Sequence, residues 1–247
     1  MKKIAVLADI HGNVAALTAV LQDLQRRHVD TIINLGDVLY GPLAPQATFA
    51  LVQSIDMITI SGNEDRLITA GGEENGSNNP TMQFVRNDLD AQARRWLQEL
   101  PFDKYLDDEL YLCHGTPQSD RQYLLEDVSA GYPALRSEAE LLAMLRNVNA
   151  PVILCGHSHL QHVVQLSDSR LVVNPGSVGL PAYRDDNPID HAMENYSPHA
   201  GYALLEKAAA GWQVELLRIP YHYGGAATLA MQHNRPDWAV SLVTGRV

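Results

Sequence analysis

The stretch PVILCGHSHL at residues 151–160 decides the fold prediction, because it joins a short apolar run to two histidines one residue apart. The apolar run predicts a buried strand. Such a strand gains nothing from two imidazole rings, since every buried polar ring needs a hydrogen-bond partner. His157 and His159 therefore belong to a turn after the strand or to a binding site.

Four other apolar runs end in the same way, with polar side chains directly after the predicted strand. The runs at 4–8, 31–35, 57–60 and 110–113 are followed by Asp9 and His11, Asp37, Asn63, and His114. By chance a D-x-H would occur about 0.7 times in such a chain and a G-H-x-H about 0.03 times, so the second motif carries more weight. Ligands of α/β sheets bind at the carboxyl ends of strands, which predicts that all these side chains converge on one crevice.

Helical patterns separate the strands. They cover 13–27, 45–54 and a longer stretch from Met82 to Leu100, ended by Pro101, while further strands are predicted at 152–155, 162–166 and 171–173 and a hairpin at 202–219. This alternation predicts an α/β fold with mixed or parallel sheets, in a single domain spanning 1–247. The polar stretches 71–80 and 181–199 are expected to be surface loops, or else lids over the crevice.

Composition narrows the class of protein. The net charge of -11 opposes non-specific binding to nucleic acid, so a nucleic-acid partner is not expected. No run reaches the ~18 apolar residues of a membrane span, and the N-terminal apolar run is short and interrupted by Asp9, so we expect a cytoplasmic protein without a membrane partner. Cys113 and Cys155 form no CxxC pair, which argues against a thiolate zinc site.

The converging residues are two aspartates, four histidines and one asparagine. Oxygen and imidazole ligands without thiolate suit Mn, Fe, Zn, Co or Ni rather than copper or an iron–sulfur cluster, and seven side chains exceed the three or four of a single catalytic site. We therefore expect two divalent metal ions, manganese first among them, that share a carboxylate. Such a pair can activate a bridging water and neutralise charge during displacement at phosphorus.

The ordered motifs resemble those of the calcineurin-like metallophosphoesterases. They are DIH (9–11), GDVLYG (36–41), GNED (62–65), HG (114–115), GHSH (156–159) and NPGSVG (174–179). The resemblance implies a four-layer α/β/β/α sandwich of two mixed sheets, with the dimetal centre at the sheet ends. It also implies a hydrolase acting on ester bonds that uses a metal-bridging hydroxide as nucleophile.

Carried over by position, the resemblance implies ligands for each metal. Asp9, His11 and His159 would hold one metal, Asn63, His114 and His157 the other, and Asp37 would bridge them. The catalytic set it implies is Asp37, Asn63, Glu64 and His114. Glu64 stands where the family usually has a histidine that assists the leaving group, so leaving-group protonation is expected to be weak here.

The chain also lacks the arginine that phosphoprotein phosphatases carry after the bridging aspartate. GDVLYGPLAP (36–45) and GSVGLPAYRDDNP (176–188) are more similar to small stand-alone prokaryotic phosphodiesterases. A phosphodiesterase acting on a small phosphoester or nucleotide is therefore expected. The alternatives are a dinucleoside polyphosphate hydrolase, a phosphomonoesterase, a partner-binding adaptor on the same scaffold, and a nuclease, which the acidic charge disfavours.

Candidate substrate contacts follow from position alone. Asn13 either faces the phosphate or caps the following helix. Arg121 and Arg184 either contact a distal phosphate or base or lie on the surface, and Tyr40 and Tyr183 either stack on a ring or pack. No motif bears on the oligomeric state.

Overall fold

The computed structural model describes residues 3–70 and 79–247, which form two five-stranded mixed sheets. The first sheet has the order β14-β13-β1-β2-β3 and the second β4-β5-β8-β10-β9. Their strands are β1 (Lys3–Leu7), β2 (Thr31–Asn34), β3 (Met57–Thr59), β4 (Asp103–Leu106), β5 (Leu110–Cys113), β8 (Val152–Leu154), β9 (Gln161–Gln165), β10 (Leu171–Pro175), β13 (Ala200–Ala208) and β14 (Gly211–Ile219).

Two short antiparallel pairs stand outside these sheets. They are β6 (Glu126–Asp127) with β7 (Ala134–Leu135), and β11 (Ala182–Asp185) with β12 (His191–Glu194). The helices are α1 (Val14–Arg27), α2 (Pro45–Gln53), α3 (Asn63–Thr69), α4 (Pro80–Asp88), α5 (Ala91–Glu99), α6 (Glu138–Met144), α7 (Tyr223–Gln232) and α8 (Pro236–Thr244).

Successive side chains along each strand point to opposite faces of its sheet, and this alternation builds the four layers that the resemblance implies. Ile4 and Val6 of β1 face the second sheet, where they meet residues such as Leu112 and Leu154. The intervening Ala5 and Leu7 face the opposite way, toward helices that include α1, α2, α4, α5, α7 and α8. On the outer face of the second sheet, Tyr111 and Ile153 pack against Leu141 of α6. The α/β/β/α sandwich is therefore confirmed.

Strand direction brings the motifs to one edge. β1, β2 and β3 run parallel, as do β5, β8 and β10 in the second sheet. Their carboxyl ends carry the motifs around Asp9, Asp37, Asn63, His114 and His157. The two sheets thus present their motif-bearing loops to each other.

Two expectations about secondary structure need correction, and a third falls mostly outside the described residues. The helix expected from Met82 to Leu100 is two helices, because Leu89 leaves the helical conformation and the Asp90 side chain caps α5 by accepting a hydrogen bond from the Ala93 amide. The expected loop 181–199 contains the β11–β12 hairpin. Within the expected loop 71–80, residues 71–78 lie outside the described part of the chain, and Asn79 and Pro80 start α4.

Helices α7 and α8 were not predicted. α8 begins with Pro236 at its first turn and ends at Gly245 in the left-handed conformation, which are ordinary start and stop signals. Within residues 3–70 and 79–247, no helix combines the length and the apolar character that crossing a bilayer requires.

Candidate metal centre

Two buried groups of three ligand-type side chains lie at the meeting edge of the sheets. One group consists of Asp9, His11 and His159, and the other of Asp37, His114 and His157. Within each group the ligand atoms all lie within 4.8 Å of one another. Each group draws its residues from both sheets, so the site exists only when the two sheets are packed together.

In the first group, nitrogen and oxygen atoms that could accept hydrogen bonds lie close together with no donor between them. The Nε2 atoms of His11 and His159 are 3.1 Å apart, and Oδ1 of Asp9 lies 3.4 Å from His159 Nε2. The Asp9 side chain is 0% exposed, and its Oδ1 has no hydrogen-bond partner. A buried carboxylate oxygen without a partner is costly, so this arrangement fits a cation placed between the three side chains.

Backbone carbonyls orient three of the four histidines. Nδ1 of His11 donates to the Tyr40 carbonyl at 2.9 Å, Nδ1 of His114 to the Leu35 carbonyl at 2.7 Å, and Nδ1 of His159 to the Leu180 carbonyl at 2.6 Å. A ring whose Nδ1 carries the proton offers the Nε2 lone pair, and this is the usual arrangement of metal-ligating histidines. The lone pairs of His11, His114 and His159 therefore point into the site.

The second group joins Asp37 to His114 and Asn63. Oδ2 of Asp37 lies 3.4 Å from His114 Nε2, and Oδ1 of Asn63 lies 3.0 Å from the same nitrogen. The rings of His114 and His157 have centroids 5.1 Å apart. One carboxylate, one amide oxygen and two imidazoles form a ligand set suited to a borderline divalent cation such as Mn²⁺ or Zn²⁺.

Electrostatics hold three of the candidate ligands in the protonation states that metals need. Burial opposes ionisation of Asp37, but the neighbouring His114 and His11 keep its pKa well below the usual range. Burial and the neighbouring His159 lower the pKa of His11 to about 4, and burial and His114 lower that of His157 to about 4. Ligands must be deprotonated to bind a metal, so these three groups are ready near neutral pH. His114 differs: although burial lowers its pKa, the neighbouring Asp37 and Asp9 raise it to about 10, so a metal would displace a proton from this ring.

The backbone at the site is strained. Asp9, His11, Asp37, His157 and His159 all have left-handed φ angles, between 51° and 68°. Each such residue costs on the order of 1 kcal/mol, and these conformations persist only where the surroundings fix them. Five of the seven predicted ligands therefore adopt a backbone conformation that serves the geometry of the site at a cost in stability.

A cleft of about 620 Å³ opens above the two groups. Its floor includes His11, His157 and His159, and Glu64 also lines it. Its walls come from β11 and from α8, through residues such as Tyr183 and Trp238. Pockets of about 300–1,000 Å³ accommodate small organic ligands, so the cleft is far larger than a phosphate ion requires.

Residues 1–194 match the calcineurin-like phosphoesterase superfamily domain. The chain belongs to this superfamily. It is 23% identical to an uncharacterised protein of Methanocaldococcus jannaschii, over 95% of this chain and 94% of that protein. Two solved structures share the fold over 99% of both chains: a metallophosphoesterase from Sphaerobacter thermophilus (24% identity, TM-score 0.74) and a hypothetical protein from Pyrococcus horikoshii (19% identity, TM-score 0.76).

Membership supports the coarse function of the site. The calcineurin-like phosphoesterases use divalent metals, and the two buried ligand groups are candidate sites for them. The superfamily also supports a hydrolase that acts on phosphoesters. The superfamily domain ends at residue 194, so α8 and its part of the cleft wall lie outside it.

Asp65 ties two motifs of this phosphoesterase together, a role that sequence reasoning missed. Its buried carboxylate accepts hydrogen bonds from the Val38 amide at 2.9 Å and from the Gly62 amide at 3.2 Å. Gly62 is needed at its position, because a Cβ atom there would lie 2.1 Å from Oδ1 of Asp37. The fourth letter of GNED is the signal that could have identified Asp65, since its side chain reaches back to the start of α3.

A second network holds the GHSH loop. The hydroxyl of Ser158 donates to Oε1 of Glu126 at 2.8 Å, and Nδ2 of Asn174 donates to the Gly156 carbonyl at 2.9 Å and to Ser158 Oγ at 3.0 Å. Ser177 donates to the Asp9 carbonyl at 2.8 Å. Asn174 and Ser177 thus shape the floor of the site, and nothing local in the sequence marks Glu126 for this role.

The β11–β12 hairpin also contacts the site. The Tyr183 hydroxyl lies 2.9 Å from the His157 carbonyl, to which it donates, and the Tyr183 ring meets the His159 ring with centroids 4.5 Å apart. Tyr123 stacks on His157 at 4.7 Å and 24°. His191, which matches no motif, lies 3.0 Å from the Tyr123 hydroxyl through its Nε2. The hairpin therefore braces two of the candidate ligands.

The three candidate substrate contacts fall in different places. Asn13 is buried; its Oδ1 accepts from the Ala16 amide, and its Nδ2 donates to the Gly179 carbonyl, as the capping alternative requires. Arg121 is exposed and is absent from the described lining of the cleft. Its charge offsets only part of the rise in the pKa of Glu64 that burial and the charges of Asp37 and Asp65 produce. Arg184 lines the cleft at its rim.

Proposed function

We propose that the protein is a dimetal-dependent phosphodiesterase that acts on a small phosphoester, with residues 1–247 as one domain. The observation that carries this proposal is the pair of buried ligand groups, in which imidazole lone pairs and an unpartnered Asp9 oxygen face a common centre. One cation would be held by Asp9, His11 and His159, and the other by Asn63, His114 and His157. Asp37 would bind both cations.

The reaction adds water across one P–O ester bond and releases a phosphomonoester and an alcohol or phenol. When bound, two divalent cations, with manganese our first choice, would supply positive charge at phosphorus and acidify the attacking water. The chain itself fixes the geometry: Asp37 accepts a hydrogen bond from the Glu64 amide at 2.9 Å, which sets the direction of its carboxylate. Asn63 is placed by the start of α3.

The size of the cleft supports a diester. At about 620 Å³ it has room for an organic group on each side of the phosphorus atom. A phosphate monoester with a small organic group would leave much of this volume to water.

Glu64 lines the cleft at the position we assign to the leaving group. Burial, together with the charges of Asp37 and Asp65, raises the pKa of Glu64 to about 8, whereas two bound cations would favour its ionised form. An ionised carboxylate donates no proton. We therefore expect esters of acidic phenols to be hydrolysed faster than alkyl esters, whose departing oxygen must be protonated.

The proposal is tested by hydrolysis of bis-p-nitrophenyl phosphate and p-nitrophenyl phosphate with Mn²⁺ and with chelator. We expect Mn²⁺-dependent turnover that favours the diester and is abolished in Asp37→Asn. The exposed Asp56→Asn is the matched control and should keep full activity. Faster turnover of the monoester would indicate a phosphomonoesterase, and no turnover with any divalent metal would leave the adaptor alternative.

A further inference from the structure

The cleft extends well beyond the metal ligands, and its distant part is built by elements outside the motifs. It runs from His11 and His159 between the β11–β12 hairpin on one side and α8 on the other. Gly245, at the end of α8, packs closely against the segment that follows the hairpin. It has φ 66°, and a Cβ atom there would lie 2.2 Å from the Ser197 amide nitrogen. The Tyr196 amide donates to the Gly245 carbonyl at 2.9 Å.

The walls of this part of the cleft are aromatic and aliphatic. The Trp238 ring meets the His11 ring edge-on, with centroids 5.7 Å apart, and also meets the Tyr40 ring at 6.4 Å. Tyr183 lines the cleft from the hairpin, and Val240 of α8 lines it while 47% exposed. Trp238 is 6% exposed and has the Arg235 guanidinium 5.4 Å from its ring centroid, so Tyr183 and Val240 offer the accessible apolar surface. This surface favours an uncharged planar ring, because aromatic groups pair well with rings and with aliphatic side chains.

The charges in the lining disfavour a second phosphate group. Of the described residues that line the cleft, Arg184 and Arg235 are the arginines, and each has a carboxylate partner. Arg235 donates to Asp237 at 2.6 Å, and Arg184, with a side chain 65% exposed, lies 3.7 Å from Asp190. Asp185 adds a further negative charge to the same walls. A polyphosphate would meet these carboxylates, and the lining cation best able to turn toward it is the exposed Arg184, whose pairing with Asp190 is weak in water.

The two ends of the cleft are chemically distinct. Glu64 lies beside Asn63, whereas Trp238 and Tyr183 lie against His11 and His159, which belong to the other ligand group. We propose that the space between the β11–β12 hairpin and α8 binds the ester group that stays on phosphorus, and that this group is an uncharged aromatic ring, either an aryl group or a nucleobase. This inference rests on the proposed phosphodiesterase function.

The test compares diesters that share one leaving group, p-nitrophenolate, and differ in the ester group that stays. The probes are methyl, phenyl and thymidine 5′ p-nitrophenyl phosphates. Val240→Asp places a charge in the proposed subsite, and Val243→Asp is the matched control, because Val243 is 41% exposed on the same helix and is absent from the described lining. The ratio of variant to wild type cancels the intrinsic reactivity of each ester.

In the wild type we expect KM for the phenyl ester to lie below KM for the methyl ester. In Val240→Asp we expect KM for the phenyl ester to rise about fivefold or more, because losing one good apolar contact weakens binding by up to about tenfold. KM for the methyl ester should change less than about twofold in both variants. Whether the thymidine ester follows the phenyl ester distinguishes a nucleobase from an aryl group. Equal KM values for the phenyl and methyl esters, or equal effects of Val240→Asp on both, would overturn the subsite alone. A wild type that hydrolyses none of the three esters would instead overturn the phosphodiesterase function.

Discussion

Replacing Glu126 by glutamine should stabilise the protein at pH 8 and leave its stability at pH 4.5 almost unchanged. Glu126 is 2% exposed, and its Oε1 accepts a hydrogen bond from Ser158 that a glutamine oxygen can also accept. A basic group in contact with it is His162, whose Nε2 lies 3.4 Å from Oε1, and the charge of Arg136 offsets only part of the effect of burial. Because burial lowers the pKa of His162, that ring is neutral above pH 6.5 and provides no counter-charge.

The magnitude follows from linkage. Burial raises the pKa of Glu126 to about 7, from 4.5 in an unfolded chain. Below pH 4.5 the carboxyl is protonated in both states, so it adds no pH dependence to the free energy of unfolding. As the pH rises toward 7 the unfolded chain ionises first and stability falls, until about 3 kcal/mol has been lost. Glutamine cannot ionise and avoids this loss, which corresponds to about 6–12 °C in Tm for a chain of this size.

The assay is thermal unfolding followed by circular dichroism from pH 4.5 to 8.5, with chelator present so that metal release does not contribute. The exposed Glu99→Gln serves as the control and should follow the wild type at every pH. The difference in Tm between Glu126→Gln and the wild type should increase as the pH rises. Parallel curves for the two proteins would refute the reasoning, because they would show that Glu126 is ionised in the folded state across the range.

Three further predictions concern the site and its support. Gly62→Ala should lower kcat/KM for bis-p-nitrophenyl phosphate about 100-fold, because its Cβ atom would displace the Asp37 carboxylate; wild-type activity would contradict this. Tyr183→Phe should weaken Mn²⁺ binding about tenfold in calorimetry, since it removes the hydrogen bond to the His157 carbonyl, and an unchanged Kd would argue against bracing by the hairpin. Asp23→Asn should cost about 1–3 kcal/mol at pH 7, because Asp23 accepts from Tyr202 at 2.6 Å. The pKa of Asp23 is lowered despite some burial, so this stability is present above pH 3.8 and should disappear in urea titrations as the pH falls below it.

Strand ends made most of the candidate site predictable from the sequence. A polar residue placed directly after a buried strand has little freedom in position, and the parallel strands bring Asp9, Asp37 and His157 to one edge. The residues that support the ligands were harder to find. Glu126 and Tyr123 reach the GHSH loop from a distant segment, and no local pattern connects them to it.

The C-terminal helices show a different limit. Residues 236–245 carry a proline start and a glycine stop, so α8 could have been predicted from local signals. Its place beside the metal ligands could not have been predicted in this way, because that place depends on how the segment after β14 returns across the first sheet. The split between α4 and α5 has a local cause: Asp90 lies within a continuous helical pattern in the sequence, yet its side chain acts as the N-cap of α5.

The most direct test of the account is the number of metal ions bound per chain, measured by elemental analysis after Mn²⁺ loading and gel filtration. We expect two ions per wild-type chain, and about one in His11→Ala and in His157→Ala, because each histidine belongs to a different ligand group. One ion or none in the wild type, or the same number in all three proteins, would contradict the dimetal centre.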